Sequence, residues 1–313
     1  MTNMRGMTNR KVEIILGPTG VGKTDFAIER ALECGSPVIS CDSRQIFREM
    51  TIGTAVPDAS QLAAVKHYFI HSHSVADDYT AGRYEIEAHR LVNELFAEGH
   101  ETLVMCGGSG FYIDAFVNGL DDFPPADQKL RAELTARLRE EGVGELAKQL
   151  RELDPESCAE IDLSNGQRVV RALEVCLMTG RKFSSFKTAP NRKRDFEIEK
   201  IGLVRPKDEL YGRIDNRVLK MIDAGLVEEV RSLLPFRDRP ALQTVGYKEI
   251  FAWFDYLEGK VSTEGWGPTS PGDGPVTTLD RAVELIRRNS RRYAKRQMSY
   301  WRRDNSIKWV ENM

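Results

Sequence analysis

Apolar residues in the first third of the chain fall in short unbroken runs rather than along a helical stripe. Val12–Leu16, Pro37–Cys41 and Thr102–Cys106 are rich in β-branched or bulky apolar side chains and end at Gly or Asp, the pattern of buried strands. Between them, 24–33 and 83–98 repeat apolar positions at helical spacing. Strand and helix in alternation predict a parallel α/β sheet. After Gly119-Leu-Asp-Asp-Phe-Pro-Pro125 the pattern changes, because 127–153 and 165–178 read as charged amphipathic helices with no strand between them. We therefore expect an inserted helical domain over 125–196. Phe196–Val204 alternates and then runs apolar, which returns the chain to the sheet, and helices follow at 207–233, 243–258 and 279–303. The core is then built from 1–124 and 197–313.

Two stretches fit neither period. Residues 262–278 are dense in Gly, Pro, Ser and Thr and are expected to form a surface loop, with Trp266 packing back on the body. Residues 1–10 are expected to be a disordered tail, and Met4 and Met7 leave the true start open. No apolar run approaches the roughly eighteen residues of a membrane span, and the first residues lack the apolar core of a signal peptide. A cytoplasmic protein, and a monomer, is expected.

Charge sharpens the picture. The whole chain carries a net −2, yet Arg281 to Arg303 holds nine Lys or Arg against Glu284 alone, so this one helix is +8 and the remainder −10. A basic stripe on an acidic body predicts a localised polyanion site. The five cysteines are scattered with no C-x-x-C pair, which argues against a zinc site or a disulfide framework.

The candidate chemistry lies at the ends of the predicted strands. Gly17, Pro18, Thr19, Gly20, Val21, Gly22, Lys23 and Thr24 follow the first strand, open a helix and match the phosphate-loop pattern G-x-x-x-x-G-K-[ST]. Small residues there let backbone N–H groups converge on an anion at a helix N-terminus, while Lys23 adds a point charge and Thr24 a hydroxyl suited to Mg²⁺. A fold like that of the P-loop NTPases follows. Nucleotide triphosphates, monophosphate acceptors and isoprenoid diphosphates all present such oxygens, so the loop does not choose among them.

Its neighbours narrow the choice. The strand Thr102–Cys106 ends in Gly107-Gly-Ser-Gly-Phe-Tyr112, without the acid that a nucleotide-hydrolysing enzyme uses for its metal. The strand Pro37–Cys41 does end in an acid, Asp42, which should face the phosphate loop across the crevice and serve as metal ligand or general base. Asp42 followed by Gln45 also fits a capping box. His71-Ser-His73 has no acidic or Cys partner at convincing spacing to make a metal site.

Together with these, Met50-Thr-Ile-Gly-Thr-Ala-Val-Pro57, Ser164-Asn-Gly-Gln-Arg168 with Arg171-Ala-Leu-Glu174, Gln243-Thr-Val-Gly-Tyr-Lys-Glu249 and Arg292-Tyr-Ala-Lys-Arg-Gln297 run in order along the chain. In these blocks it resembles the tRNA dimethylallyltransferases, of the bacterial type since no Cys/His extension precedes Met313. The resemblance implies transfer of a dimethylallyl group from its diphosphate to N6 of the adenosine at position 37, in tRNAs reading codons that begin with U, with Mg²⁺ assisting. It implies a phosphate loop that holds the isoprenoid diphosphate rather than ATP, Asp42 as the base, and Lys23, Thr24 and Arg217 as groups that stabilise the leaving diphosphate.

For the tRNA anticodon stem-loop it implies contacts from Asp42, Ser43, Arg44, Gln45, Ser109 and Arg131, and from Gln167, Arg168 and Arg171 on a helix whose Val169, Val170, Leu173 and Leu177 look inward. The +8 helix is expected to dock through Val283, Ile286, Ala294 and Trp301 and to turn Arg288, Arg292, Lys295 and Arg302 toward RNA. A small-molecule kinase would not need that helix. An enzyme prenylating free AMP would not need the insertion, and a non-catalytic RNA-binding module would not need Asp42.

Overall fold

The computed structural model describes residues 10–188, 192–260 and 274–311. Residues 1–9 of the tail expected at 1–10 and most of the Gly/Pro-rich stretch, including Trp266, lie outside the described residues. Those described fall into two compact units, one made of residues up to Val117 and from Lys193 onward, the other of Asn118–Arg192.

The larger unit is a six-stranded parallel sheet. β1 (Lys11–Leu16), α1 (Lys23–Cys34) and β2 (Val38–Ser40) lead through the short α2 (Ala59–Ala64) to β3 (His67–Tyr68), and α3 (Ala81–Ala97) to β4 (Thr102–Gly107). α4 (Gly110–Asn118) leaves this unit, and β5 (Glu197–Val204) re-enters it; the strand order is β3-β2-β4-β1-β5-β6, where β6 is Ile307–Glu311. The register sets Leu16 beside Gly107 and Gly202, so β1 and β4 end level while β5 runs two residues further. β1 is buried along its length, with Val12, Ile14, Ile15 and Leu16 at 0% exposure. The one acid in it, Glu13, is held by Arg30 at 2.6 Å and Lys11 at 2.9 Å, which offsets the cost of a carboxylate in a central strand.

The expected strands are present, and two more escaped the sequence pattern. β3 is too short to show a period, and β6 follows the basic helix after a tight turn in which Asp304 accepts from Ser306. The expected helix at 127–153 in the smaller unit divides at Gly142 into α5 (Gln128–Glu141) and α6 (Val143–Leu153). The expected helix at 207–233 divides at Gly225. Gly142 and Gly225 take φ of 81° and 97°, which continuing helices do not tolerate.

In the smaller unit α7 (Pro155–Glu160) and α8 (Gly166–Thr179) complete an all-helical body, whose core includes Leu134, Leu146, Leu150, Val169, Val170 and Leu173. Leu177, expected to look inward, is 41% exposed; Ala172 and Cys176 fill that face instead.

The C-terminal half of the larger unit adds α9 (Lys207–Asp223), α10 (Leu226–Ser232), α11 (Tyr247–Leu257) and α12 (Leu279–Trp301). α12 buries Ala282, Leu285, Ile286, Ala294 and Trp301. Val283, expected on that apolar face, is only partly buried. Its basic content is less free than the net charge suggests, since Arg281 pairs with Glu284 and Arg291 with Asp215. Arg292, Lys295, Arg296, Arg302 and Arg303 remain exposed.

Candidate active site

The phosphate loop joins β1 to α1, and α1 begins at Lys23 with Gly22 as a cap that brings no side-chain bond. The first-turn N–H groups of α1 therefore have no capping oxygen from Gly22, the condition that makes a helix start an anion site. Three carbonyls of the loop are held by basic side chains. Lys23 Nζ donates to the Pro18 oxygen at 3.0 Å, Arg213 Nε to the Gly20 oxygen at 2.9 Å and Arg205 Nε to the Val21 oxygen at 3.3 Å. With these three oxygens occupied, the start of α1 borders a cleft.

That cleft has a volume of about 820 Å³. Thr19, Gly20, Gly22, Lys23, Thr24 and Asp42 line it, opposite Arg213, Asn216, Arg217 and Lys220 of α9. Arg217 Nη2 donates to the Thr19 hydroxyl, while its Nε is buried with no hydrogen-bond partner. Loss of hydration pulls the Arg217 pKa below its ordinary value, against the opposing pull of the Asp42 carboxylate. Lys23 is lowered for the same first reason, with Asp42 raising it and Arg217 lowering it further. Two cations so placed disfavour their own charge until an anion joins them. Cys106 also lines the cleft, and burial pushes its thiol up to about 12, so it is no nucleophile near neutral pH.

One wall of the cleft is apolar, made by Ile52, Ala55, Val56, Met221 and Ala224. The loop at 51–53 is clamped by Glu229, whose carboxylate accepts the N–H groups of Thr51, Ile52 and Gly53 at 3.0, 2.7 and 3.0 Å and the Tyr247 hydroxyl at 2.6 Å. A Cβ on Gly53 would lie 2.6 Å from the Tyr247 ring. Tyr247 belongs to one of the ordered sequence blocks, but its partner Glu229 gave no signal.

Asp42 follows β2 and caps a turn, not a helix. Its Oδ1 accepts the N–H groups of Arg44 at 2.8 Å and Gln45 at 3.3 Å. The capping box is not formed, because the Gln45 amide donates to the Thr54 and Ala55 carbonyls at 3.2 and 2.9 Å. Gln45 thus faces the cleft and braces its apolar loop.

A second pocket of about 440 Å³ opens beyond the same two turns. The cleft takes Asp42 and Gly107, and this pocket takes the next residues, Ser43 and Gly108, together with Arg44, Ser109, Phe111, Tyr112, Tyr293, Tyr300 and Trp301. The Ser109 hydroxyl accepts the Ser43 N–H at 2.9 Å and donates to the Ser43 hydroxyl at 3.0 Å, tying the turns together. Trp301 Nε1 is buried with no acceptor, and burial pushes the Tyr112 phenol up to about 12. The pocket is an aromatic slot edged by Arg44 and Arg296, suited to a planar base.

The remaining expected residues lie in the helical unit. Arg131 and Arg171 both pair with Glu174, at 2.6 and 2.8 Å. Glu174 is fully buried and also accepts the Asp127 N–H. Gln167 and Arg168 are exposed on the first turn of α8. Among the described residues no group of three or more His, Cys, Asp or Glu could hold a metal. His71 instead places Nε2 3.2 Å from the Thr51 hydroxyl.

The chain is similar to known proteins in sequence and in fold. The model of the IPP transferase family matches residues 45–304. The chain belongs to the IPP transferase family. Among curated relatives, tRNA dimethylallyltransferase 2 of Porphyromonas gingivalis is 47% identical over 298 residues, covering 95% of this chain and 92% of the relative. The tRNA dimethylallyltransferase of Christiangramia forsetii is 45% identical, covering 97% and 94%.

Among solved structures, the full-length tRNA isopentenylpyrophosphate transferase of Bacillus halodurans aligns with a TM-score of 0.65 at 33% identity, over 96% of this chain and 90% of that one. A eukaryotic dimethylallyltransferase studied acting on tRNA shares the fold, with a TM-score of 0.75 at 22% identity over 97% and 74%. The parallel sheet with flanking helices is thus the framework of the IPP transferase family, and no helix among the described residues is long and apolar enough to cross a membrane.

Proposed function

We infer that the chain transfers a dimethylallyl group from dimethylallyl diphosphate to N6 of adenosine 37, next to the anticodon on its 3′ side, in tRNAs reading codons that begin with U. Family membership supports the reaction. The observation that carries its assignment to this site is the pair of hollows that meet at consecutive residues, Asp42 with Ser43 and Gly107 with Gly108. One is polar and cationic with an apolar wall, fit for an isoprenoid diphosphate; the other is aromatic, fit for an extruded adenine.

In this reading the amine enters from the aromatic pocket and attacks the allylic carbon across the Asp42 turn. A C–N bond forms, the C–O bond to diphosphate breaks, and the surplus N6 proton passes to the Asp42 carboxylate. Asp42 Oδ1 is held by two backbone donors, which orients the carboxylate as a general base. Lys23, Arg217 and the α1 N-terminus meet the charge that grows on the leaving diphosphate. Thr24 lines the cleft beside Lys23, and its hydroxyl is a hard oxygen donor that would hold a Mg²⁺ ion. When bound, that ion would neutralise part of the leaving charge.

Ser43, Arg44 and Ser109 would contact the adenosine and its neighbours. Gln45 keeps its oxygen for substrate while its amide shapes the donor wall. On the helical unit, Gln167 and Arg168 are the groups open to RNA phosphates, and Arg131 and Arg171 act mainly by ordering the helices that carry them. The enzyme would act as a cytoplasmic monomer.

The test is nucleoside and nucleotide mass spectrometry after incubation with dimethylallyl diphosphate, Mg²⁺, unmodified tRNA and AMP. One prenyl group on one adenosine is expected; unmodified tRNA together with prenylated AMP would contradict the reading.

A further inference from the structure

The donor cleft and the aromatic pocket share a wall, and one buried side chain spans it. Gln297 of α12 is 7% exposed. Its Oε1 accepts the Thr19 N–H at 2.8 Å, and its Nε2 donates to the Gly108 carbonyl at 2.8 Å. Thr19 belongs to the phosphate loop and Gly108 to the turn after β4. Neither bond is part of a helix or sheet ladder, so a single amide links the two loops directly.

The surroundings are built around that link. A Cβ on Gly108 would fall 2.6 Å from Gln297 Nε2, and one on Gly110 would fall 2.5 Å from the Tyr300 ring. The turn therefore lies flush on α12. The Tyr300 hydroxyl also donates to Asp114 of α4, a second tie between α12 and the aromatic side. From its other side Thr19 is held through its hydroxyl by Arg217. The phosphate loop is thus gripped between an arginine that faces the cleft and a glutamine anchored to the opposite turn.

We propose that Gln297 is a positioning residue for the transfer step, setting the distance between the loop that holds the diphosphate and the turn that borders the incoming base. The inference rests on the prenyl-transfer reading. Displacement needs the amine and the allylic carbon about 3–3.5 Å apart and aligned, and a misplacement of about 1 Å costs roughly 10²-fold in rate. A planar amide making both its bonds is a stiff spacer. A methionine of similar volume would fill the space and leave the Thr19 N–H and the Gly108 carbonyl unpartnered, freeing the loops to shift without emptying the core.

The experiment compares wild type, Gln297→Met, Gly108→Ala and the double variant in single-turnover and steady-state assays, each corrected for its folded fraction by active-site titration. Gly108→Ala presses on the same amide from the other side and meets only the end of a flexible side chain, so it reports on the link even if Gln297→Met folds poorly. Expected are losses in kcat of about tenfold or more for each single variant, KM for both substrates within about twofold of wild type, and a double variant no worse than the poorer single one. Wild-type kcat in both single variants, a loss confined to KM or to the folded fraction, or fully additive losses would overturn the proposal. A wild-type enzyme that transfers no prenyl group would instead refute the underlying reaction.

Discussion

Two sets of basic residues look alike in the sequence and differ in what opposes them. In the helical unit Arg131 and Arg171 converge on the fully buried Glu174. That buried charge is matched by opposite charges within the protein. In the sheet unit Lys23 and Arg217 are bound to neutral oxygens, of Pro18 and Thr19, and among the described residues neither forms an ion pair with a carboxylate. Their charged forms are disfavoured by lost hydration. A charge answered internally contributes to the fold; a desolvated one answered by neutral groups is stored for a ligand.

Removing members of each set should therefore have opposite effects. Lys23→Ala or Arg217→Ala is expected to cut kcat by roughly 10²–10³, as for other groups aimed at developing charge, with an unchanged or raised melting temperature. Glu174→Ala should do the reverse, destabilising the protein by about 3 kcal/mol because two guanidinium groups lose their counter-charge, while the folded fraction binds a diphosphate donor analogue as wild type does. Thermal unfolding together with analogue titration decides the matter. A large stability loss in Lys23→Ala, or none in Glu174→Ala, would break the comparison.

A smaller effect sharpens it. Because the Lys23 pKa lies below the usual 10.5 in the free protein, a bound polyanion should raise it and draw in a proton. Affinity for the analogue is then full below the lowered value and falls as pH rises through it, by up to about tenfold per unit. Calorimetry in buffers of different ionisation heat should find proton uptake on the alkaline side. Lys23→Arg should show none, since a guanidinium stays protonated there.

Much of this was legible in the sequence, for physical reasons. The central strands are buried on both faces and so appear as apolar runs, and the phosphate loop needs small residues at fixed spacing. β3 has too few residues for a period, and the breaks at Gly142 and Gly225 turn on a backbone angle that a glycine permits but does not announce. Asp42 and Gln45 have the spacing of a capping box, yet the Gln45 amide is taken by carbonyls at 54 and 55, a contact between loops that local spacing does not encode. Arg131 and Arg171 carry the same charge as a phosphate contact, and only the fold brings Glu174 to them. Gln297 lay in a recognised block, but its two partners follow other strands.

The central claim is that the cleft and the aromatic pocket meet at a carboxylate that takes the N6 proton. Asp42→Asn tests it most directly, since the amide oxygen can still accept the Arg44 and Gln45 N–H groups but cannot serve as the base. Single-turnover transfer with both substrates saturating is expected to slow by about 10²–10⁴, with tRNA affinity within about twofold of wild type. Transfer at the wild-type rate would contradict the account.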